Sequence, residues 1–419
     1  MKVLHVNASD KSGGAARAAH RIHLAQRQAG LDSHMLVLHR SDDEPHIQTF
    51  RPNGGKIAQH LRQAISVRLM ARQHSAGNPT LHSLNRFGTG LADWINRSDF
   101  DIVNLHWLGS EMVSIEEIGR IRKPLVWTLH DMWAFCGAEH YDDLDHPGRY
   151  RLGYRSDTRP PGHSGPDLDA QTWRRKQRAW AKLRLHLVSP SRWLAGCAAE
   201  SALLGHQPCT VIPNGVDTAV FKPVDRRLAR GILNLDPAKR YVLFGAVSST
   251  TDRRKGFHLL QAALQQLAAQ PDIRQDTELL VFGAYQPSRP PDLGLPTHYL
   301  GHFHDDASLA LLYSAADVFA APSLQDNLPN TVVESLACGT PVVAFDVGGM
   351  PDLISDGTSG TLVKPFDCAY FCTALKNVLQ NPPFIERTSA FPPSWTLPGI
   401  DIAYNETYHK ALTGYQTSR

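Results

Sequence analysis

Two acidic side chains and one run of cations are the residues of this 419-residue chain best suited to chemistry. Asp326 and Glu334 lie in the segment 321–351, APSLQDNLPNTVVESLACGTPVVAFDVGGMP, and Arg253, Arg254 and Lys255 directly precede a predicted helix. Carboxylates accept hydrogen bonds from sugar hydroxyls, whereas cations and helix amides neutralise phosphates. Together these residues predict a site for a nucleotide-diphosphate sugar.

The helix that contains Glu334 is predicted to begin at Asn330, with Asn330 as the N-cap. Its amides and the preceding loop Asn327, Leu328 and Pro329 are predicted to face the diphosphate. Glu334 lies on the second helical turn, where it is predicted to accept the ribose hydroxyls. A carboxylate that only pairs with the helix dipole is the alternative interpretation.

Asp326 is predicted to accept hydroxyls of the transferred sugar. Negative charge develops on the diphosphate as the sugar leaves, so a positioned cation stabilises the transition state more than the ground state. Lys255 is the first candidate for this cation and Arg253 the second. For Arg254, a solvated surface charge remains an alternative.

Further candidates follow the predicted strands of the first half of the chain. Gly13 and Gly14 join a first strand to a helix, and such a pair allows a ligand to approach the backbone, although an unliganded tight turn explains it equally well. His106 and His130 each follow an apolar strand, at the sheet edge where ligands bind. His130 is predicted to be functional, whereas a hydrogen-bonded structural role is favoured for His106.

Composition is that of an ordinary folded protein: 42% hydrophobic and 20% charged residues, with a net charge of +3. These values argue against disorder and give no indication of nucleic-acid binding. The six cysteines show no zinc-site spacing. The first residues lack the long apolar region of a secretory signal, so we expect a cytoplasmic protein with reduced thiols.

Strands alternate with helices along both halves of the chain, which predicts an α/β fold with parallel sheets. We expect one Rossmann-like domain over residues 1–212 and a second, nucleotide-sugar-binding domain over 213–398, with the break at Pro213-Asn214-Gly215. A C-terminal helix, 399–419, is predicted to pack back on the first domain. The stretch from Asp142 to Asp169 lacks periodicity and predicts a long surface loop near the acceptor.

Two basic helical segments raise the question of peripheral membrane contact. Residues 56–74 carry Ile57, Leu61, Ile65 and Leu69 at helical spacing, with arginines between them, and residues 173–184 read WRRKQRAWAKLR. An anionic membrane surface is one partner for such helices. Ordinary amphipathic packing on the domain is the favoured interpretation.

No metal site is predicted. The sequence Asp99-Phe100-Asp101 resembles a metal-binding DxD motif, but it precedes a strand and is interpreted as a strand-entry loop. His302, His304, Asp305 and Asp306 fit no standard metal spacing, and an aspartate there is better explained as a helix cap.

The motifs in their order resemble those of family-four retaining glycosyltransferases of the GT-B fold, of the type that builds bacterial polysaccharides, including lipopolysaccharide. The resemblance covers most of the chain and rests on SGGAAR, NLHW, WTLHDMWAFCG, VSPSRWLA, VIPNGVD, DRRKGF and PSLQDNLPNTVVESLACGTPVVAFDVGG. It implies two Rossmann-like domains facing across a cleft and transfer without a metal or other cofactor. It also implies that Lys255 and Glu334 bind the diphosphate and ribose, and that His130 reaches the donor sugar.

Three positions depart from the family pattern. Asp326 replaces the usual glutamate, and Thr250 replaces an arginine, so Arg253 or Arg254 is expected to supply its charge. The region from Asp142 to Asp169, which follows the pair His130-Asp131, also lacks the cysteines of related sequences. Phe303 is included among the donor-binding residues because backbone groups near 301–303 usually read the base.

The sequence therefore predicts a retaining hexosyltransferase that uses a nucleotide-sugar donor and a saccharide or lipid-linked saccharide acceptor. A nucleotide-sugar epimerase on the same fold and a non-catalytic nucleotide-sugar-binding protein are the alternatives.

Overall fold

The computed structural model describes residues 1–74, 80–245, 252–303, 305–383 and 391–417. Thr250 and His304, singled out above, lie outside the described residues. The chain forms two compact units, one comprising Met1–Pro213 with Pro398–Arg419 and the other Asn214–Leu397. Each unit is described by itself below.

Each unit is built on one parallel sheet. The first unit contains β1 Lys2–Ser9, β2 Asp32–His39, β3 Ile47–Thr49, β4 Ile102–Leu105, β5 Leu125–Thr128, β6 His186–Ser189 and β7 Cys209–Val211. The second contains β8 Arg240–Gly245, β9 Thr277–Phe282, β10 Thr297–Tyr299, β11 Val318–Ala321, β12 Val342–Phe345 and β13 Gly360–Val363.

Helices follow most strands. In the first unit they are α1 Gly14–Gln28, α2 Gly55–Met70, α3 Leu91–Arg97, α4 Ile115–Ile118, α5 Arg149–Leu152, α6 Leu168–Ala179 and α7 Arg192–Ala199. In the second they are α8 Arg226–Ile232, α9 Phe257–Ala268, α10 Pro271–Arg274, α11 Asp306–Ala315, α12 Asn330–Ala337, α13 Met350–Leu353 and α14 Cys368–Gln380. The last helix is α15 Leu397–Gln416.

The strand orders are β3-β2-β1-β4-β5-β6-β7 and β10-β9-β8-β11-β12-β13. Neighbouring strands pair in parallel throughout both orders. The central strands are short, continuous apolar runs such as VFAA in β11, buried along their length, because helices cover both faces of such sheets. The predicted α/β class with two parallel sheets is confirmed. In each sheet the strand order reverses beside a central strand, at β1/β4 and at β8/β11, where ligands of open parallel sheets bind.

Helix α15 is anchored to the first unit by two buried tyrosines. The hydroxyl of Tyr408 accepts hydrogen bonds of 3.0 Å each from the amide nitrogens of Gln26 and Asn104. The hydroxyl of Tyr404 lies 3.2 Å from that of Thr128, at the end of β5. The C-terminal helix is therefore hydrogen-bonded to α1, β4 and β5 of the first unit.

The prediction of a surface loop from Asp142 to Asp169 is correct only in part, because residues 144–147, 155–157 and 164–166 are exposed whereas other parts of the segment pack into the core. This segment contains α5 and the start of α6, and the side chains of Asp142, Tyr150 and Tyr154 are buried. Arg149 forms an ion pair of 2.7 Å with Asp167. Polar composition hid this packing, because buried ion pairs and tyrosines replace the apolar periodicity that marks a core segment.

The orientation of α2 is the reverse of the favoured prediction. Ile57, Leu61 and Ile65 are 79%, 57% and 43% exposed, whereas the polar side chains of Gln59 and Ser66 are buried. The amide of Gln59 donates to the carbonyl of Ser110 at 2.7 Å, and Ser66 donates to the Glu111 carboxylate at 2.7 Å. The helix docks through its polar face and presents Ile57, Leu61 and Ile65 to solvent, whereas Leu69 is partly buried against the core.

One face of the second basic segment packs into the core of the first unit, whereas Arg174, Arg178, Lys182 and Arg184 are exposed. Lys176 on α6 is completely buried, and its ammonium group donates to the carbonyl oxygens of Trp133, Cys136 and Gly137. Arg175 pairs with Glu116. In the part of the chain that the structure describes, no helix combines the length and apolar character required to cross a membrane.

The two segments that were considered and rejected as metal sites, 99–101 and 302–306, contain aspartates with the structural roles that were predicted. Asp99 pairs with the Lys2 side chain at 2.7 Å and Asp101 accepts from the Lys2 amide at 2.7 Å, which fixes the entry to neighbouring strands. Asp305 caps α11 by accepting from the amide of Ser308.

Candidate functional site

The second unit brings Lys255 and Asp326 together at its strand-order reversal. Lys255 ends a short 3-10 turn, Arg253–Lys255, beyond the carboxyl end of β8, and Asp326 lies in the loop that leaves the neighbouring strand β11. The Lys255 ammonium group lies 2.6 Å from a carboxylate oxygen of Asp326. Their side chains are only 17% and 9% exposed, so this is a largely buried ion pair.

Arg254 adds a second cation to the pair. One of its guanidinium nitrogens lies 3.5 Å from Asp326 and donates to the carbonyl of Gln325 at 2.9 Å. Burial opposes ionisation of Asp326, but the charges of Lys255 and Arg254 outweigh it and hold the pKa of Asp326 below its ordinary value. The interpretation of Arg254 as a solvated charge is wrong; Arg253 is the exposed member of the run.

Two glycines permit these loops to meet. Gly256 has φ of +72°, and a Cβ there would lie 1.8 Å from the carbonyl oxygen of Pro322. Gly348 has φ of +58°, and a Cβ there would lie 1.9 Å from the carbonyl oxygen of Asp326. Any larger residue would force the 3-10 turn or the Asp326 loop away from its neighbour, so both glycines set the position of the ion pair.

Helix α12 begins beside this ion pair. Asn330 is its first residue, preceded by Pro329 at the N-cap position, so the predicted N-cap is one residue too late and no side chain caps the helix. The carboxamide of Asn330 instead accepts from Asn214 at 3.0 Å, and Asn214 also donates to the carbonyl of Leu328 at 2.9 Å. Asn214, missed by sequence reasoning, thereby holds the loop that leads into the helix.

Glu334 is buried in the body of the second unit. It is 2% exposed, and one carboxylate oxygen accepts a hydrogen bond of 2.9 Å from the hydroxyl of Tyr313 on α11. A carboxylate can accept several hydrogen bonds, so the contact with Tyr313 does not by itself prevent Glu334 from accepting others. Tyr313 orients Glu334 and was not singled out from the sequence.

The remaining donor-binding candidates lie in different parts of the two units. Phe303, in the second unit, is half-buried and packs edge-on against Phe282 at 6.4 Å between ring centres. The backbone N–H of Asn327 donates to a carboxylate oxygen of Asp326 at 3.0 Å. Gly13 precedes α1 with φ of +91°, and a Cβ there would meet no atom within 4 Å, so glycine is required by conformation rather than crowding; Gly14 begins the helix.

His130 ends a chain of three histidines in the first unit. Its Nε2 lies 3.0 Å from Nδ1 of His106, whose Nε2 lies 2.9 Å from Nδ1 of His5. Nε2 of His5 lies 2.8 Å from the amide oxygen of Gln26, whose nitrogen donates to Tyr408. His106 therefore links His130 to the buried centre of the sheet.

The direction of hydrogen bonding along this chain follows from Gln26. Because its amide oxygen only accepts, Nε2 of His5 carries the proton and Nδ1 of His5 accepts from His106. The same reasoning makes His106 Nδ1 accept from His130 Nε2. Burial lowers the pKa of His5 and of His130 to about 4 and also lowers that of His106, so all three rings are neutral at pH 7.

The structure thus groups Lys255, Asp326 and the loop before α12 within the second unit. Glu334 lies in the same unit, on α12. His130, Gly13 and Gly14 lie in the other unit. Asn214, Tyr313, His5 and Gln26 were missed, although the motif VIPNGVD contained Asn214, and Arg254 was named only as a possible substitute for a family arginine. The others gave no local signal, because their partners are distant in sequence.

Family models match both halves of the chain. "Glycosyltransferase Family 4" matches residues 12–220 and "Glycosyl transferases group 1" matches residues 239–381. Over 187 residues the chain is 35% identical to D-inositol 3-phosphate glycosyltransferase 2 of Catenulispora acidiphila, covering 41% of this chain and 42% of that protein. The chain therefore spans about two fifths of that relative's length.

Solved structures match the whole chain at lower identity. Sucrose-phosphate synthase from Thermosynechococcus elongatus matches with a TM-score of 0.66 and 18% identity, over 99% of this chain and 100% of the other. Anabaena HepE, solved in complex with UDP-glucose, matches with a TM-score of 0.60 and 16% identity, over 100% and 99%.

Two parallel α/β units with these neighbours define a protein of the GT-B glycosyltransferase fold. Within that class, the chain belongs to the glycosyltransferase families described as group 1 and family 4.

Proposed function

We propose that the protein is a retaining hexosyltransferase that takes its sugar from a nucleotide-diphosphate donor. The observation that carries the proposal is the buried group of Lys255, Arg254 and Asp326 at the carboxyl ends of β8 and β11, beside the start of α12. Two cations and a helix N-terminus suit a diphosphate, and the buried carboxylates suit hydroxyl groups. The acceptor is proposed to be a glycan or lipid-linked saccharide of a bacterial surface polysaccharide.

Each residue has a distinct part in this proposal. Lys255 exchanges its contact with Asp326 for the phosphate nearest the sugar and stabilises the charge that develops as the bond to the sugar breaks. Asp326, released from Lys255, accepts hydroxyls of the sugar. Glu334, held by Tyr313, accepts the ribose hydroxyls. His130 remains a prediction for contact with the donor sugar, with a neutral ring favoured by burial and a proton position set by His106 and His5.

Donor binding is the direct test of the proposal. Thermal unfolding would be recorded with UDP, GDP, ADP and their hexose derivatives, and we expect one nucleotide series to raise the Tm by mass action. With the selected donor, Glu334→Ala should abolish the Tm shift. An unchanged shift in that variant, or no shift with any nucleotide, contradicts the site.

Product analysis separates the proposed activity from its alternatives. A transferase hydrolyses the donor slowly without acceptor and passes the hexose to a saccharide with the anomeric configuration retained. Conversion of the sugar while it remains on the nucleotide identifies an epimerase. Donor binding with neither reaction, across a panel of lipid-linked and free saccharides, identifies a non-catalytic binding protein.

Peripheral membrane contact at the cytoplasmic face through α2 forms part of the proposal. Its exposed stripe, Ile57, Leu61 and Ile65, lies opposite the docked polar face, and exposed Lys56 and Arg68 lie on or beside it. An apolar stripe with neighbouring cations matches a surface of anionic lipid, since each basic residue near such a surface adds about 1 kcal/mol of attraction. This location suits an enzyme whose acceptor is carried on a lipid.

A further inference from the structure

Three side chains of the first unit that are far apart in the sequence lie close together in the fold: one largely buried histidine and two buried carboxylates. His82 follows α2 in the chain, Glu139 lies in the loop after β5, and Asp169 lies in the first turn of α6. One ligand-type atom from each residue lies within 4.8 Å of those of the other two. The backbones of His82 and Glu139 form a β-bridge, which fixes two of the three positions.

In each of these side chains, the polar atom that does not face the other two residues is held by a hydrogen bond. Nδ1 of His82 lies 2.6 Å from the carbonyl oxygen of Thr80. One carboxylate oxygen of Glu139 accepts from the hydroxyl of Tyr154, and Oδ2 of Asp169 accepts from the amide of Gln73 at 2.7 Å. Partners of this kind are the ones that orient the ligands of metal sites.

The atoms that remain face one another without other partners. Nε2 of His82, Oε2 of Glu139 and Oδ1 of Asp169 are buried and have no hydrogen-bond partner among the described residues. Glu139 and Asp169 are each 4% exposed. Two buried carboxylates in contact carry a large desolvation cost unless a cation or a proton compensates them.

The protonation of His82 points in the same direction. The Thr80 carbonyl only accepts, so the ring proton lies on Nδ1 and the lone pair of Nε2 faces the carboxylates. A ring whose proton lies on Nδ1 and whose Nε2 carries a lone pair is neutral. A neutral imidazole thus supplies no compensating charge, but it supplies a ligand.

We propose that His82, Glu139 and Asp169 bind a divalent transition-metal cation of the Zn²⁺ type, which braces the segment after α2, the loop after β5 and the start of α6. Nε2 of His82 and Oδ1 of Asp169 are 3.6 Å apart. Ligand atoms around a tetrahedral zinc ion lie roughly 3.4 Å apart. Mixed imidazole and carboxylate donors suit zinc and its neighbours better than Mg²⁺ or Ca²⁺.

The proposed ion is structural and does not depend on the proposed sugar transfer. Nε2 of His140, in the same loop as Glu139, lies 2.8 Å from the hydroxyl of Ser83, and its Nδ1 lies 2.6 Å from Asp131. The ion therefore stabilises a loop that begins next to His130 and reaches back to His82. The prediction of metal-free donor chemistry concerns other residues, namely Lys255, Asp326 and Glu334 in the second unit and His130 in the first.

Metal titration of the full-length protein tests the site. The chain would be stripped with a chelator and titrated with Zn²⁺ against a chromophoric competitor, and we expect one tight ion per chain and a Tm that rises with free Zn²⁺. Glu139→Gln and Asp169→Asn should each weaken binding by about 10- to 100-fold. Asp32→Asn is the matched control, because Asp32, His34 and His46 form an exposed group of similar type.

Three results would overturn the proposal. They are failure of the wild-type chain to bind Zn²⁺, unchanged affinity in both carboxylate variants, and loss of the ion in Asp32→Asn alone. If a carboxylate variant does not fold, titration of the Asp32→Asn chain with Co²⁺ still decides: a visible absorption band of low-coordinate cobalt with nitrogen and oxygen ligands supports the site, and its absence contradicts it. If the wild-type chain binds no ion and Glu139→Gln raises the Tm, then a proton shared by Glu139 and Asp169, instead of an ion, compensates the two carboxylates.

Discussion

Replacing Lys255 by methionine would test the central ion pair through stability alone. Methionine keeps much of the length of the side chain and removes its charge. The Asp326 carboxylate would then be left 6% exposed, with Arg254 at 3.5 Å as its remaining cation. The change therefore isolates the charge of Lys255 from its packing.

The expected cost follows from burial. Removing one partner of a buried pair costs about 3–5 kcal/mol, because the other charge is left uncompensated. Arg254 offsets part of this loss, so we expect the lower limit, about 3 kcal/mol. For a unit the size of 214–397, this lowers the Tm by roughly 6–12 °C.

The pH dependence has a defined sign. The pKa of Asp326 is lowered in the folded chain, so its contribution is present above the unfolded pKa of about 3.9 and is lost as pH falls through the folded value. The stability difference between wild type and Lys255→Met should therefore be full at pH 7 and shrink as the pH falls below about 4.

Calorimetry of the wild type, Lys255→Met and Asp326→Asn, with the double variant, gives the coupling between the two residues. Arg253→Met is the matched control; its side chain is exposed, and we expect a change within about 0.5 kcal/mol. The reasoning is refuted if Lys255→Met and Arg253→Met have the same Tm, or if the effects of the two single changes add in the double variant.

Three further predictions concern the other candidate groups. Glu334→Gln keeps the shape of the side chain but removes the charge, so the donor Kd should rise about tenfold by titration calorimetry, and an unchanged Kd would contradict a ribose contact. Gln26→Leu removes the acceptor that sets the proton positions along the chain of histidines up to His130, so kcat should fall by about tenfold at constant KM. Nitrogen-15 NMR of the histidine rings should show a changed tautomer, and unaltered ring signals would contradict the role of Gln26. Ile57→Glu should abolish sedimentation with anionic vesicles while the exposed Leu81→Glu control retains it, and equal binding by both variants would rule out α2 as the contact.

Local sequence patterns determined most of the secondary structure. The run VFAA forms β11 because a buried parallel strand is a short apolar run, and an aspartate caps α11 as the sequence predicted. Lys255, Asp326 and Glu334 were also selected as candidates from sequence, since loops at the carboxyl ends of strands mark the ligand edge of such a sheet.

Tertiary structure alone decided which side chains meet and which faces are covered. The stripe of α2 has the same period whether it packs inward or outward, and the polar turn at Ser110 and Glu111 selected the outward orientation. Likewise Arg254, and not Arg253, reaches Asp326, because the 3-10 turn fixes which side chain faces the loop. Gln26 and His106 gave no signal of a shared network. A sequence records the period of each element, whereas the identity of a long-range partner is set only when separate elements pack.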